Sequence, residues 1–573
     1  MAFKLSYDAT PLEQLKGLEC RNVTYAPSPD GKHDFHVVKE YIHFPDGSTK
    51  PNLRLIPDYE REFWVTKEMF RNHNDKKEYE YEQKLQRYTT TQSRLVDKIS
   101  RVLHSRPSDG RTQLRTLAQS PYLYGCDISS TSLVKKDYKR RHPECLTPKA
   151  SVSVLDIETN VHSPGEEIIL ITLSFKDKIY TAINTDFIKK GGDAEKRIQA
   201  MLKKMLPEEC EERKIKLELG FFDTPGKCCK AVIDKAHEWM PDFVVVWNIN
   251  FDLPKIIKTL EAEGFDLAQV FSDPLVPSPF RFFNYKEGKK QKVMQSGKVI
   301  PLHPADRWHT VECPASFYFL DAMCLYKRIR TAKGMEPSYS LDYILTKFFG
   351  KGKLSIPAAD QYSGLAWHQY MQMLHPLEYV IYNIYDCIGV EKLDEKTNDV
   401  AQSFPLLCGD SDFSNFSSNP RKIVDDMHYY YRELEKPCVI ASTGSEIIEE
   451  NDEHVVNLKE WIVTLPAFSM DKIGLPIILG LPSIISLLVV HAADLDIEGT
   501  YPTLEEVMNL AKETTIRELV EILGIPDELR RVFGINISGG VANSIEIMHL
   551  GYNAALPSDW LAFAKEEEAA GRV

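Results

Sequence analysis

The stretch "ASVSVLDIET", residues 150–159, alternates apolar with small or polar positions and carries two acids, Asp156 and Glu158, two residues apart. Successive side chains of a β-strand point to opposite faces, so these two carboxylates share one face near the end of a strand. Carboxylates held that close repel each other unless a cation lies between them. An acidic strand end open to water has the same pattern, so this pair alone leaves both readings standing.

The neighbouring sequence extends the strand into a layer. "EEIILITLSF" (166–175) and "DKIYTAI" (177–183) read as two further strands, followed by a long charged helical region. "PDFVVVWN" (241–248) then reads as a fully buried strand and "LPKIIKTLEAEG" (253–264) as a helix. Strands in succession, then helix, strand and helix, argue for an α/β layer with a mixed central sheet.

Two later stretches add to the acids. In "VVVWNINFDLPKII" (244–257) the buried strand empties through Asn248 into Phe251 and Asp252 as the helix begins. Asp252 there is either a helix cap or a third carboxylate at the edge of an α/β sheet, where sites tend to form. In "PLEYVIYNIYDCIGVEKL" (376–393) a helix places Tyr382 and Asp386 on one face, a pair that alone is usually packing or solvation. Together they make four carboxylates and a phenol. Two divalent ions about 3.5–4 Å apart, activating a water and stabilising a leaving oxygen, need such a set, and hard oxygen ligands favour Mg²⁺ or Mn²⁺ over zinc.

Asp156 with Glu158, then Asp252, then Tyr382 with Asp386 resemble the three motifs of the DEDDy 3′-5′ proofreading exonucleases. "PSYSLDYI" (337–344) and "YVIYNIYDCIGV" (379–390) further resemble the exonuclease domain of family B DNA polymerases of tailed bacteriophages. The middle motif departs slightly, with two residues between Asn248 and Phe251 where three is commoner in the family. The resemblance implies an RNase H-like domain that holds two Mg²⁺ (or Mn²⁺) ions on Asp156, Glu158, Asp252 and Asp386. It implies that Tyr382 orients the attacking water and that Asn248 and Phe251 meet the single-stranded 3′ end of DNA.

Under the same resemblance, "DLDIEGTYPT" (494–503) matches the first palm motif of a polymerase at Asp496, Tyr501, Pro502 and Thr503, with Gly499 and Thr500 in place of Ser-Leu. The family uses this Asp as a metal ligand and this Tyr under the sugar of the incoming nucleotide. Neither the fingers motif, Lys followed by Asn-Ser-x-Tyr-Gly, nor an Asp-Thr-Asp turn follows it. DNA synthesis by this chain alone is therefore not expected. The expected role is the N-terminal subunit of a split family B DNA-directed DNA polymerase for viral DNA replication, a nucleotidyltransferase with proofreading, in the host cytoplasm. Its expected partners are primer-template DNA and a second polypeptide carrying the rest of palm, fingers and thumb, with a sliding clamp as a further candidate. Two alternatives are a self-sufficient DEDDy exonuclease with a vestigial palm and a non-catalytic replisome scaffold, though a scaffold has no chemical need for the acids.

The expected fold is α/β and α+β multidomain: an N-terminal domain over 1–149, an RNase H-like exonuclease domain over 150–400, and a linker with an incomplete palm over 401–573. A chain of 573 residues with 43% apolar residues is long enough for about three cores. A net charge of −13 gives no bulk attraction for nucleic acid, so DNA contact falls to local basic surface. Two stretches offer it. "LVKKDYKRRHPE" (133–144) sets Lys135, Lys136, Lys139, Arg140 and Arg141 around Tyr138, as a solvated face or a phosphate contact. Residues 279–310 are basic and aromatic, with Gly288 and Gly297 suited to turns of exposed hairpins, and the resemblance makes them candidates for strand separation.

The eleven cysteines form no CxxC, which suggests reduced thiols rather than zinc or disulfides. The N-terminus lacks the apolar core of a signal peptide. Residues 473–493 carry no charged side chain, but Pro476, Pro482, Gly474 and Gly480 favour a buried strand pair with a turn over a membrane helix. The polar run at 74–103 reads as helical.

Overall fold

The computed structural model describes residues 4–402, except 9, 75–76, 78, 109–111, 146–149, 192, 294–297 and 331–334. It also describes residues 428–441 except 430, and the backbone of Phe468–Met470 and Pro476–Ile478. The chain divides into two compact units, Met1–Ser442 and Thr443–Val573. It is a mixed α/β structure with several sheets.

The first unit begins with an antiparallel sheet of β1 (Gly17–Pro27), β2 (Asp34–His43) and β3 (Thr49–Pro57), with β2 in the middle. β2 is buried along its whole length, polar side chains included, so each of those needs a partner. Glu40 has three: Asn52 Nδ2 donates at 2.7 Å, Arg54 Nε at 2.9 Å and Tyr138 Oη at 2.7 Å. A second sheet joins β4 (Glu60–Thr66) to β6 (Leu85–Thr91) and β7 (Leu123–Tyr124), while β5 (Tyr79–Tyr81) pairs elsewhere. α1 (Leu95–His104) and the single turn α2 (Leu114–Leu117) place Leu95, Ile99 and Leu117 against Phe63 and Val65 of β4. α3 (Ser130–Arg141) packs on β1.

This arrangement corrects one expectation and adds to another. Of the run 74–103 only the end is α-helical, because residues 85–91 pair along β4, where the Tyr88 ring stacks on Phe63 at 5.5 Å. Three consecutive threonines at 89–91 suit a pleated strand better than a helix. The basic run on α3 is spent partly on the protein itself. Tyr138 is buried on Glu40, and Lys136 lies 2.9 Å from Glu433 and over the Tyr429 ring.

The central sheet is built from β8 (Val152–Thr159), β9 (Ile168–Phe175) and β10 (Lys178–Asn184), then α4 (Ala194–Met205), α5 (Pro207–Arg213), β11 (Lys216–Phe222), α6 (Pro225–Trp239), β12 (Phe243–Val246), α7 (Ile249–Ala262) and α8 (Leu267–Phe271). Its order is β11-β10-β9-β8-β12-β17, where β17 spans Tyr318–Asp321. β9 runs against both its neighbours, and the other pairs are parallel. The sequence reading took β11 as part of the charged helical region. It is an edge strand with no fully buried position, so it lacks the apolar run that marked β8 and β12.

Between α8 and β17 lie β13 (Asn284–Lys286), β14 (Gln291–Val293), β15 (Val299–Pro301) and β16 (Thr310–Glu312). They form two antiparallel pairs, β13 with β16 and β14 with β15, the second largely exposed. Gly288 makes no positive-φ turn. It lets the chain pass the backbone of Arg307 and Trp308, where a Cβ would sit 2.6–2.7 Å from their atoms. Gly297 lies outside the described residues.

α9 (Ala322–Arg330), α10 (Leu341–Phe349), α11 (Gly364–Leu374), α12 (Pro376–Thr397) and the turn α13 (Asp399–Gln402) follow. Helices cover both faces of the sheet. Leu155 and Ile157 of β8 share a core with Cys228, Val232 and Ile233 of α6, whereas Val154 packs with Cys387, Val390 and Leu393 of α12. By alternation Asp156 and Glu158 therefore face α12. At the other end of β12, buried Asp242 ties the N-terminal sheet in place: Asn22 Nδ2 donates to its carbonyl at 3.0 Å and Lys39 Nζ lies 3.7 Å from its carboxylate.

β18 (Cys438–Ile440) returns to pair with β5, so this part of the segment after 401 belongs to the N-terminal layer. In the second unit, β19 (Phe468–Met470) pairs antiparallel with β20 (Pro476–Ile478). Of the segment 473–493, for which a buried strand pair is expected, only Pro476–Ile478 is described, and the rest lies outside the described residues. Among the described residues no helix is long and apolar enough to cross a membrane. The ten described cysteines are free.

Candidate metal centre

The parity of β8, the parallel pairing of β8 with β12, and one face of α12 bring the sequence-predicted acids together. Asp156, Glu158 and Asp386 each present a carboxylate oxygen, and these oxygens all lie within 4.8 Å of one another. Asp252 stands beside that trio rather than within it. It lies in the first turn of α7, buried; its charge raises the proton affinity of Asp156, and the charge of Glu158 raises its own. Asn248 occupies the cap position of α7 but makes no side-chain cap bond. Asp252 is not the cap either, since it comes four residues later.

Lys353 acts on all four acids, and Lys255 acts on Asp252 as well. Lys353 Nζ donates to Asp386 Oδ2 at 2.6 Å and to the Tyr382 phenol oxygen at 3.1 Å. His368 lies 3.8 Å from Glu158, but burial lowers its proton affinity and keeps it neutral. At an effective dielectric constant of about 20, two like charges 4.8 Å apart repel by about 3 kcal/mol. Two ammonium groups, one of them shared with Glu166, against four carboxylates therefore leave a negative excess. Burial first, then mutual repulsion, raises the proton affinities of Asp156 and Asp252, and burial raises those of Glu158 and Asp386 against the pull of Lys353. The cluster relieves this excess by holding protons or by holding a divalent cation. Asp386 Oδ1 is buried with no hydrogen-bond partner among the described residues, the condition of a ligand atom kept for a cation. With oxygen donors only, the set suits Mg²⁺ or Mn²⁺.

Several side chains that support the cluster were not singled out in the sequence. Asn383 Nδ2 donates to Asp156 Oδ2 at 2.7 Å, and the Tyr379 hydroxyl donates to Glu158 Oε2. Both stand on α12 three residues before Asp386 and Tyr382 respectively, so helical spacing was the available signal. Asp321, at the end of β17, accepts from Ile249 N at 3.0 Å and Cys324 N at 2.8 Å, pinning the starts of α7 and α9. Burial raises its pKa to about 6. Lys353 had no signal, since it follows a short polar stretch with no periodic pattern.

Around the acids stand aromatic rings. Trp367 of α11 packs 4.7 Å from Tyr382, whose ring stacks on Tyr379 at 5.9 Å. Phe251 is 49% exposed beside the buried Asp252, with Lys255 Nζ 4.3 Å above its ring. Asp496 and Tyr501 lie outside the described residues. No protein-family model matches the chain, and no curated protein matches it.

Proposed function

We propose that the chain is a 3′-5′ exonuclease of the DEDDy kind, acting on the single-stranded 3′ end of DNA with two Mg²⁺ or Mn²⁺ ions. The observation that carries this reading is the convergence of Asp156, Glu158 and Asp386, with Asp252 beside them, on one edge of an α/β sheet. The RNase H-like assignment of residues 150–400 belongs to the same reading and draws support from the mixed sheet and from acids at the ends of parallel strands.

In this reading the four carboxylates hold the ions, which when bound activate a water and stabilise the leaving 3′ oxygen. Lys353 donates to the phenol oxygen of Tyr382, leaving the phenol proton to hold the attacking water against the scissile phosphate. Burial raises the phenol's pKa, so it stays protonated at neutral pH. Phe251 offers an exposed ring on which a base can stack. The test is a 5′-labelled single-stranded oligonucleotide incubated with Mg²⁺. Stepwise shortening from the 3′ end is expected, and an intact oligonucleotide overturns the reading.

The wider reading makes this exonuclease the proofreading part of a family B DNA polymerase, with the remaining palm, fingers and thumb on a second polypeptide. It rests on the motif at 494–503. Primer extension with and without a co-expressed polypeptide carrying those motifs tests it. Extension only with both chains supports it, and extension by this chain alone contradicts it.

A further inference from the structure

Two hydrogen-bonded relays converge on the first pair of acids from the same helix. In one, the Thr172 hydroxyl donates to Asn383 Oδ1, and Asn383 Nδ2 donates to Asp156 Oδ2 at 2.7 Å. The hydroxyl on one side of the amide and the carboxylate on the other fix which way it faces. In the other, Val161 N donates to Gln372 Oε1 at 3.1 Å, and Gln372 Nε2 donates to Thr159 O at 2.8 Å and to the Tyr379 oxygen at 3.2 Å. The Tyr379 hydroxyl donates to Glu158 Oε2, and His368 Nδ1 lies 2.8 Å from the same phenol oxygen. Asn383 and Tyr379 are themselves fully buried. Their own surroundings therefore hold them rigid, and each engages one oxygen of its carboxylate.

Building on the reading of the site as a metal-dependent nuclease, we propose that Asn383 and Tyr379 are positioning residues. By engaging one oxygen each of Asp156 and Glu158, they aim the other oxygens at a shared cation and set how tightly it binds. The chemistry is that of outer partners that orient metal ligands, whose loss typically weakens metal binding about 10-fold to 100-fold.

The experiment is titration of the whole protein with Mn²⁺, following free Mn²⁺ by electron paramagnetic resonance, for the parent, Tyr379→Phe and Asn383→Leu, with thermal melting in chelator alongside. Binding weaker by about 10-fold or more in either variant is expected, without a matching fall in the metal-free melting temperature. Affinities within about twofold of the parent in every variant that folds overturn the proposal, because a purely structural role moves only the melting temperature. Tyr379→Phe removes one oxygen atom and keeps the ring, so it decides the matter if Asn383→Leu does not fold. A parent that binds no Mn²⁺ removable by the double change Asp156→Ala with Glu158→Ala overturns both this proposal and the reading beneath it.

Discussion

Lys353, whose side chain is partly exposed, places its ammonium 2.6 Å from the carboxylate of Asp386, which is 2% exposed. The same ammonium reaches the phenol of Tyr382, four residues before Asp386 on α12. Burial opposes the charge on Lys353, but Asp386, Tyr382 and Asp156 together hold it well above the usual lysine range. It therefore stays charged in the metal-free protein and joins the phenol of Tyr382 to the carboxylate of Asp386.

If Lys353 and Tyr382 act as one unit, their losses do not multiply. Lys353→Met is expected to slow 3′ degradation roughly 10²-fold, the scale of removing one preorganised donor from a reacting centre. Tyr382→Phe should show a comparable defect, and the double variant should fall well short of the product of the two. Single-turnover rates on a labelled oligonucleotide measure all three.

The contribution of the acid cluster to the stability of the metal-free protein should fall as pH rises. The fold raises the proton affinities of Asp156, Glu158, Asp252 and Asp386, chiefly by burial, above their unfolded values near about 4. The folded state then binds more protons than the unfolded one, so this contribution is greatest below about pH 4 and is lost as pH rises through the raised values. In chelator, the melting temperature of the parent relative to that of the double variant Asp156→Asn with Glu158→Gln should decline from about pH 5 to pH 8. Mn²⁺ should restore stability most at the upper end, where the acids are free of protons.

Asp321 is expected to act through α7. Removing its carboxylate frees the N–H groups of Ile249 and Cys324, each worth about 1–3 kcal/mol when buried without a partner. Asp321→Ala should destabilise the protein and depress nuclease activity by shifting Asp252. Asp321→Asn keeps one acceptor and should retain more of both. Melting temperature and cleavage rate, measured together, check this.

Phe251→Ala should weaken substrate binding and leave the metal centre intact. Loss of a stacking ring costs about 1–3 kcal/mol per base, so KM for a single-stranded oligonucleotide should rise roughly 5-fold to 100-fold. Mn²⁺ affinity should stay at the parent value.

The parts of the site legible in sequence follow local periodicity. Asp156 and Glu158 share a face because strands repeat every two residues, and Tyr382 and Asp386 do so because helices return after four. Asp252 was legible from a run of valines ending at a helix start. Lys353 was not, because nothing local marks which lysine a folded chain brings to a buried acid. Residues 85–91 were misread because Gln, Arg and Lys nearby are helix formers, and only pairing with β4 reveals the strand. β11 was missed because an edge strand buries too little to show an apolar pattern.

The most direct test is the fate of a 5′-labelled single-stranded DNA oligonucleotide incubated with Mg²⁺ and either the parent protein or the double variant Asp156→Ala with Glu158→Ala. The prediction is a ladder of products shortened from the 3′ end by the parent, abolished by chelator and absent with a folded double variant. Equal degradation by parent and double variant would contradict the assignment of these carboxylates as the catalytic centre.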